Sequence, residues 1–191
     1  QREGEVRPAA LRAIVLYPMN ALVEDQVRRL RKALDSDAVR ALMDDPKNGL
    51  NGNRIFFGQY NGSTIGQKSY GLLQQEGRKL AAAQQKINDG LDKLLQNYQT
   101  ITAQTNSQDN EYITSRLNGQ TSSEMVTRWD MQNFPPDIMI TNVSMLSIML
   151  MRSAENDIIR KTREWLAEDP CRQDPGIKPT RIFHMVVDEL H

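Results

Sequence analysis

Four apolar runs separated by helical segments organise the 191-residue chain. Ala13 to Tyr17 is continuously apolar, as expected of a strand covered on both faces in a parallel sheet. Pro18 keeps Tyr17 extended and ends that strand. Asn20 then suits a helix N-cap, with Glu24 and Asp25 in the first turns, where the helix dipole favours acids. Val23, Val27, Leu30 and Leu34 follow as one apolar stripe. After the turn chemistry of "DDPKNGLNGN", the stretch "RIFFGQYNGST" reads as a second strand running into a glycine-containing loop. Pro135 and Pro136 lead into a third strand, Asp137 to Thr141, and Asn142 or Ser144 caps the next helix. That helix has a stripe of Met145, Leu146, Met149 and Leu150, expected to be core filler. A further helix is expected over Asn156 to Glu168, then a loop, "EDPCRQDPGIKPT", and a last strand in "RIFHMVVDEL". Strands alternating with helical segments predict an α/β fold with a parallel sheet flanked by helices.

The stretch from about Ile65 to Asn133 departs from this pattern, being polar and rich in Gln. Within it Leu73, Leu80, Ile87, Leu94 and Ile101 recur at every seventh position. Leu91 and Tyr98 fill two intervening places, and Gly77 and Gln84 leave two unfilled. So narrow a stripe suits a helix packed on one partner rather than a domain core. It predicts a long helix over Ser69 to Thr100, projecting as an insertion, with "TAQTNSQDNEY" as its tip and a shorter return before Trp129. A disordered polar linker is the competing reading, since Gly71, Gly77 and Gly90 weaken helicity. The expected organisation is therefore 1–64, an insertion over 65–133, and 134–191.

Composition narrows the function less. Lys+Arg and Asp+Glu are 24 each, so any nucleic-acid surface must be a local patch. Arg28, Arg29, Arg31 and Lys32 read first as a solvated face that compensates the helix dipole. Cys171 is the single cysteine, which excludes disulfide frameworks, and with only His184 and His191 beside it a zinc site is not expected. No apolar run is long enough to span a bilayer and no signal peptide opens the chain, so a cytoplasmic setting without membrane contact is expected.

The chemistry concentrates at the end of the chain. Asp188 and Glu189 follow the apolar run Met185 to Val187. Strand C-termini of a parallel sheet open onto the ligand crevice, and adjacent acids there can divide nucleotide hydrolysis between them. One holds Mg²⁺, usually through water, and the other orients or deprotonates the attacking water. The bland alternative is a strand leaving into a charged loop.

Four segments together carry a family resemblance. "VVDELH" resembles motif II, the DExH box, of superfamily 2 helicases, and "VLYPMNALVEDQ" resembles their motif Ia. "GQYNGST" is similar to the "YDGDT"-type loop of the Lhr-like branch, and "PPDIMITNVSML" to its "PPDILITNPEML" segment. All four occur in the family's order, each at the end of an expected strand. The resemblance does not cover Ile65 to Gly119. "RWDMQNFPPDIMITNVSMLSIMLMR" further resembles a subgroup of large bacterial helicases that includes the helicase component of DISARM-type phage defence systems.

The resemblance implies part of a RecA-like motor domain, from motif Ia to motif II, with ATP and Mg²⁺ as ligands. Asp188 would bind the Mg²⁺ of ATP, Glu189 would be the catalytic base, and His191 would link the nucleotide site to a second RecA-like domain. Pro18, Met19, Asn20 and Gln26 would belong to the nucleic-acid grip of motif Ia, with Met19 standing where Thr is common. Gly62, Ser63 and Thr64, and then Thr141, Asn142 and Ser144, match the loops that take the next backbone phosphates. Turn and capping chemistry is the structural alternative for each of these residues singly. The sequence holds no G-x-x-x-x-G-K-[ST], so the phosphate-binding loop that precedes motif Ia in the family is not in it. The expectation is a piece of a larger protein that acts with its P-loop and second motor domain on nucleic acid, DNA more than RNA. The stripe at 69–100 would then meet its own return segment, the second motor domain or a partner subunit. A non-enzymatic nucleic-acid-binding or scaffold subunit derived from a helicase domain is the alternative.

Overall fold

The computed structural model describes residues 7–18, 20–45, 47, 53–66, 85, 88–90, 92–93, 96, 122–173 and 176–188. Five strands form one sheet: β1 (Ala13–Tyr17), β2 (Phe57–Gln59), β3 (Glu124–Met125), β4 (Ile138–Asn142) and β5 (His184–Val187). Their order is β3-β2-β4-β1-β5, and every pairing is parallel. Helices cover both faces, so the protein is α/β as its sequence pattern predicts.

Period-two alternation sorts the strand residues between the two faces. On one face, Ile14 and Leu16 of β1 and Met139 of β4 join Phe56, Tyr60 and Met125. They pack under helices α3 (Arg128–Asn133), α4 (Val143–Met151) and α5 (Asn156–Ala167), which supply Met131, Met145, Met149 and Ile158. On the other face, Val15, Tyr17, Phe57 and Ile140 lie under α1 (Asn20–Leu34), which contributes Val23, Val27, Leu30 and Leu34. The predicted stripe of α1 is therefore its core face. A short helix, α2 (Asp37–Asp44), follows it.

Several details differ from the sequence pattern. Helix α1 starts at Asn20 itself, so Asn20 is not its cap, and no acid lies in its first turn. Arg31 is not on a solvated face: it is 8% exposed and grips Glu124 with Nε (2.6 Å) and Nη2 (2.9 Å). Leu150 is 65% exposed, because the buried arc of α4 is only wide enough for Met145, Met149 and part of Leu146. The sheet has five strands, not four, since it takes up chain from Ser122 onward, upstream of Phe134. Strand β3 pairs with β2, and Ser122 Oγ and Ser123 N donate to the buried Asp35 carboxylate (both 2.7 Å).

Most of the Ser69 to Thr100 repeat, including all five of its heptad residues, lies outside the described residues. Those described there, Gln85, Asn88, Asp89, Gly90, Asp92, Lys93 and Gln96, are each helical and, Gly90 apart, exposed. Gly90 lies against Ile65: a Cβ on it would come 3.4 Å from the Ile65 side chain. Among the described residues, no helix is long and apolar enough to cross a membrane.

At the amino edge of the sheet, Asp137 ties three strands together. Its carboxylate accepts from Phe56 N (2.9 Å), from Arg7 Nη2 (2.9 Å) and from Arg12 Nη1. Its backbone carbonyl accepts from Arg12 N (2.9 Å) and Ala13 N (2.8 Å). Replacing it removes the buried acceptor of the Phe56 amide and the carboxylate that Arg7 and Arg12 both grip. Asp137→Ala should therefore lower stability by about 3 kcal/mol, read as the urea dependence of proteolysis.

A second carboxylate fixes the approach to β5. Asp169 accepts from Arg181 N (2.9 Å), Thr180 Oγ1 (2.7 Å) and Cys171 N (3.1 Å). The Arg181 amide above all, and then the Thr180 hydroxyl, hold its carboxyl down at about 2 against an ordinary 3.8. A depressed carboxyl contributes stability that is complete above the unfolded value and is lost as pH falls through the folded one. Asp169→Asn should hence be less stable than the parent near neutrality, and the gap should narrow between pH 3.8 and about 2. Thermal melts across that range measure it.

Candidate functional site at the carboxyl edge of the sheet

Because all five strands run one way, every strand C-terminus opens on the same edge of the sheet. The strand order puts the loop after β2 next to that after β4, then that after β1, then that after β5. The sequence-predicted segments therefore line up along one edge as Gly62–Thr64, Thr141–Ser144, Pro18–Asn20 and Asp188.

The loop after β2 is a self-bonded turn. Asn61 Oδ1 accepts from Ser63 N (3.0 Å) and Ser63 Oγ (2.7 Å). Thr64 Oγ1 donates to Gln59 O (2.8 Å) and accepts from Asn61 N (2.9 Å). Asn61 and Thr64 are buried, while Gly62 and Ser63 are exposed. Nothing lies within 4 Å of where a Gly62 Cβ would stand, so another chain can approach its backbone closely.

The loop after β4 is equally constrained. Thr141 is fully buried and its hydroxyl donates to Tyr60 O. Asn142 caps α4, its Oδ1 accepting from Met145 N (2.7 Å). That leaves the exposed Ser144, with the exposed Val143 beside it, in the first turn of the helix. The hydroxyls of Thr64 and Thr141 thus build the loops rather than face a ligand. What the edge presents is the exposed stretches of backbone at Gly62–Ser63 and Val143–Ser144, near a helix N-terminus where the dipole favours anions.

Pro18 is exposed directly after β1, Asn20 opens α1, and Met19 is outside the described residues. Gln26 is set back, half-buried about 9 Å along α1 from Asn20 at 1.5 Å per residue. Asp188 is exposed at the end of β5, its amide donating to Leu16 O (3.0 Å). Burial first, and then the nearby Asp188 carboxylate, push the Tyr17 phenol above its ordinary value. Glu189 and His191 lie outside the described residues. Among the described residues no three His, Cys, Asp or Glu gather as a metal cluster.

Beneath the first two loops is a buried polar group that the sequence pattern gives no sign of. The Tyr60 hydroxyl donates to Glu155 Oε1 (2.8 Å) and accepts from Gln132 Nε2 (2.9 Å). Glu155 is fully buried in the 3₁₀ turn Ser153–Glu155, and Arg152 Nε stands 3.7 Å from its Oε2. Arg128, 3% exposed, lies over the Tyr60 ring, 5.1 Å from its centroid. Its Nη2 donates to Asn61 O and approaches Met145 Sδ (3.9 Å). Burial, then the bond to Glu155, pushes the Tyr60 phenol well above its usual range. Burial also lowers the Arg128 guanidinium from its ordinary value.

No family model matches the chain, and no solved structure matches it. It is 32% identical to Druantia protein DruE of Escherichia coli (strain UMEA 4076-1), in a match over 212 residues that takes in 94% of this chain. So little of the chain lies outside the match that most of the polar stretch 65–133 is within it. The chain is therefore similar to one part of that protein, spanning 11% of its length.

Proposed function

We propose that this chain is the part of the first motor domain of an ATP-dependent nucleic-acid helicase or translocase that runs from motif Ia to motif II. DNA is the favoured substrate and anti-phage defence the setting. The observation that carries the reading is the alignment of all four motif-like segments on one carboxyl edge of one parallel sheet. Such an edge can follow a sugar-phosphate backbone with sequence-independent contacts. The similarity to a Druantia protein supports the defence setting.

In this reading the Gly62–Thr64, Thr141–Ser144 and Pro18–Asn20 loops grip one strand, Pro18, Gly62, Ser63 and Ser144 being exposed to it. Asp188 faces the nucleotide. The exposed Asp188 carboxylate at a strand end would suit Mg²⁺, a hard cation bound through few carboxylates. When bound, that ion neutralises the charge developing on the phosphates. Glu189 takes the proton of the attacking water, and His191 couples this site to the second RecA-like domain. The P-loop and that second domain would be supplied by the rest of the protein.

In the full-length protein, Glu189→Gln should cut ATP turnover by about 10²–10⁴-fold while ATP and oligonucleotide binding persist. Normal turnover in that variant overturns the assignment. Oligonucleotide binding by a parent protein with no turnover at all would favour the non-enzymatic reading instead.

A second prediction concerns the grip. Phosphate contacts are salt-sensitive, so the affinity for oligo(dT) should fall steeply with salt. Crowding the three loops together, with Gly62→Val, Ser144→Glu and Asn20→Glu, should weaken binding of oligo(dT) by at least about tenfold. Unchanged affinity would refute the interface.

A further inference from the structure

We infer that Arg128 is a positioning residue for nucleic-acid contact, a buried guanidinium that holds the Asn61–Thr64 turn against the first turn of α4. This rests on reading the carboxyl edge as a nucleic-acid interface.

The geometry places one side chain between two loops that are distant in sequence. Arg128 Nη2 donates to the carbonyl of Asn61, which opens the turn after β2. The same nitrogen lies 3.9 Å from Sδ of Met145, the residue whose amide is capped by Asn142. The backbone reinforces the attachment, since Arg128 N donates to Ile65 O (2.8 Å) at the far end of the same turn. The turn is thus held at both ends by a single residue. At the opening end the constraint passes on: Tyr60 N donates to Ile140 O (2.8 Å), and Thr141 donates to Tyr60 O.

The choice of a cation needs explaining. Burying a guanidinium is costly unless it is paired and fully hydrogen-bonded. Here Nε has no hydrogen-bond partner, and the Tyr60 ring beneath the guanidinium bonds through its hydroxyl to the buried Glu155. A neutral donor could satisfy the Asn61 carbonyl at lower cost. The guanidinium does two things that a neutral donor cannot. It lies as a cation over the Tyr60 ring while its Nη2 reaches both the Asn61 carbonyl and Met145 Sδ. It also places a fixed positive charge just beneath the two loops, where low dielectric strengthens its field toward a phosphate.

The test uses the full-length protein with Arg128→Lys, which keeps the charge and loses the planar group over Tyr60, and with Tyr60→Phe, which keeps the ring and removes the hydroxyl that donates to Glu155. Two measurements are made: hydrogen exchange at residues 61–65, and ATP turnover as a function of oligo(dT) concentration. Arg128→Lys should speed exchange at 61–65 but not in β1 or β4. It should also raise the half-maximal oligo(dT) concentration by about tenfold, with turnover at saturation within about twofold of the parent. Tyr60→Phe should shift both readouts the same way by less, and it decides the matter if Arg128→Lys does not fold.

Lost turnover at an unchanged half-maximal concentration would mean a merely structural residue and overturn the inference. So would unchanged exchange at 61–65. If the parent binds oligo(dT) and both variants bind it equally, this inference alone fails. If the parent binds neither oligo(dT) nor oligo(U), the nucleic-acid reading fails and the inference with it.

Discussion

Three strands start level because one buried aspartate, through its carboxylate and its backbone carbonyl, serves all of them. Asp137 opens β4, takes the Phe56 amide at the approach to β2, and accepts the Arg12 and Ala13 amides of β1 through its own carbonyl. A parallel ladder has no tight hairpin to set its register, so register must come from such ties and from the facial pattern of side chains. A slip of one residue would turn Ile14 and Leu16 away from the helices that cover them. From these level starts β1 and β4 each run five residues and end level, while β2 ends after three, opposite Ile140. The alignment of loops at the carboxyl edge is thus set from the opposite end of the sheet.

Each face of the sheet carries a buried polar group of its own beside its apolar core. On the α1 face, Arg31 pairs with Glu124 and Asp35 takes Ser122 and Ser123, fastening the short edge strand β3. On the other face, Tyr60, Gln132, Glu155 and Arg128 lie under the loops. Buried ion pairs add little net stability, but breaking one leaves an uncompensated charge. They therefore discriminate strongly between the native arrangement and near misses. A two-residue strand such as β3 has little else to fix its place.

The candidate edge shows how a binding surface can be made from residues that do not bind. Thr64, Thr141 and Asn142 spend their polar atoms on the turns themselves. Their work leaves stretches of backbone exposed at Gly62–Ser63 and at the start of α4. The same residue types suit either role, so the sequence could single them out without saying which atoms face outward. Gly58 makes the complementary point inside the sheet. A Cβ there would come 2.6 Å from Met131 Sδ and 2.8 Å from Met125 O, so its glycine is required by packing.

Local chemistry determined much of this protein. Apolar runs at Ala13–Tyr17, in "RIFFGQYNGST", after Asp137 and in "RIFHMVVDEL", with the proline at 18 and the cap at Asn142, sufficed for the α/β class, four of the five strands and the helices α1, α4 and α5. Those signals act over a few residues and are legible wherever they occur. The placement of the candidate loops on one edge also followed, because parallel strands must share a carboxyl side. Tertiary structure alone decided the rest. Nothing in "TSSEMV" announces a strand, since Glu124 is buried only because Arg31, 93 residues earlier, meets it. Arg128 reads as a surface charge until the fold brings Asn61, Tyr60 and Met145 around it. The physical reason is common to both: a charge can be buried only where its partners converge, and convergence of distant segments is a property of the folded chain, not of any stretch of it.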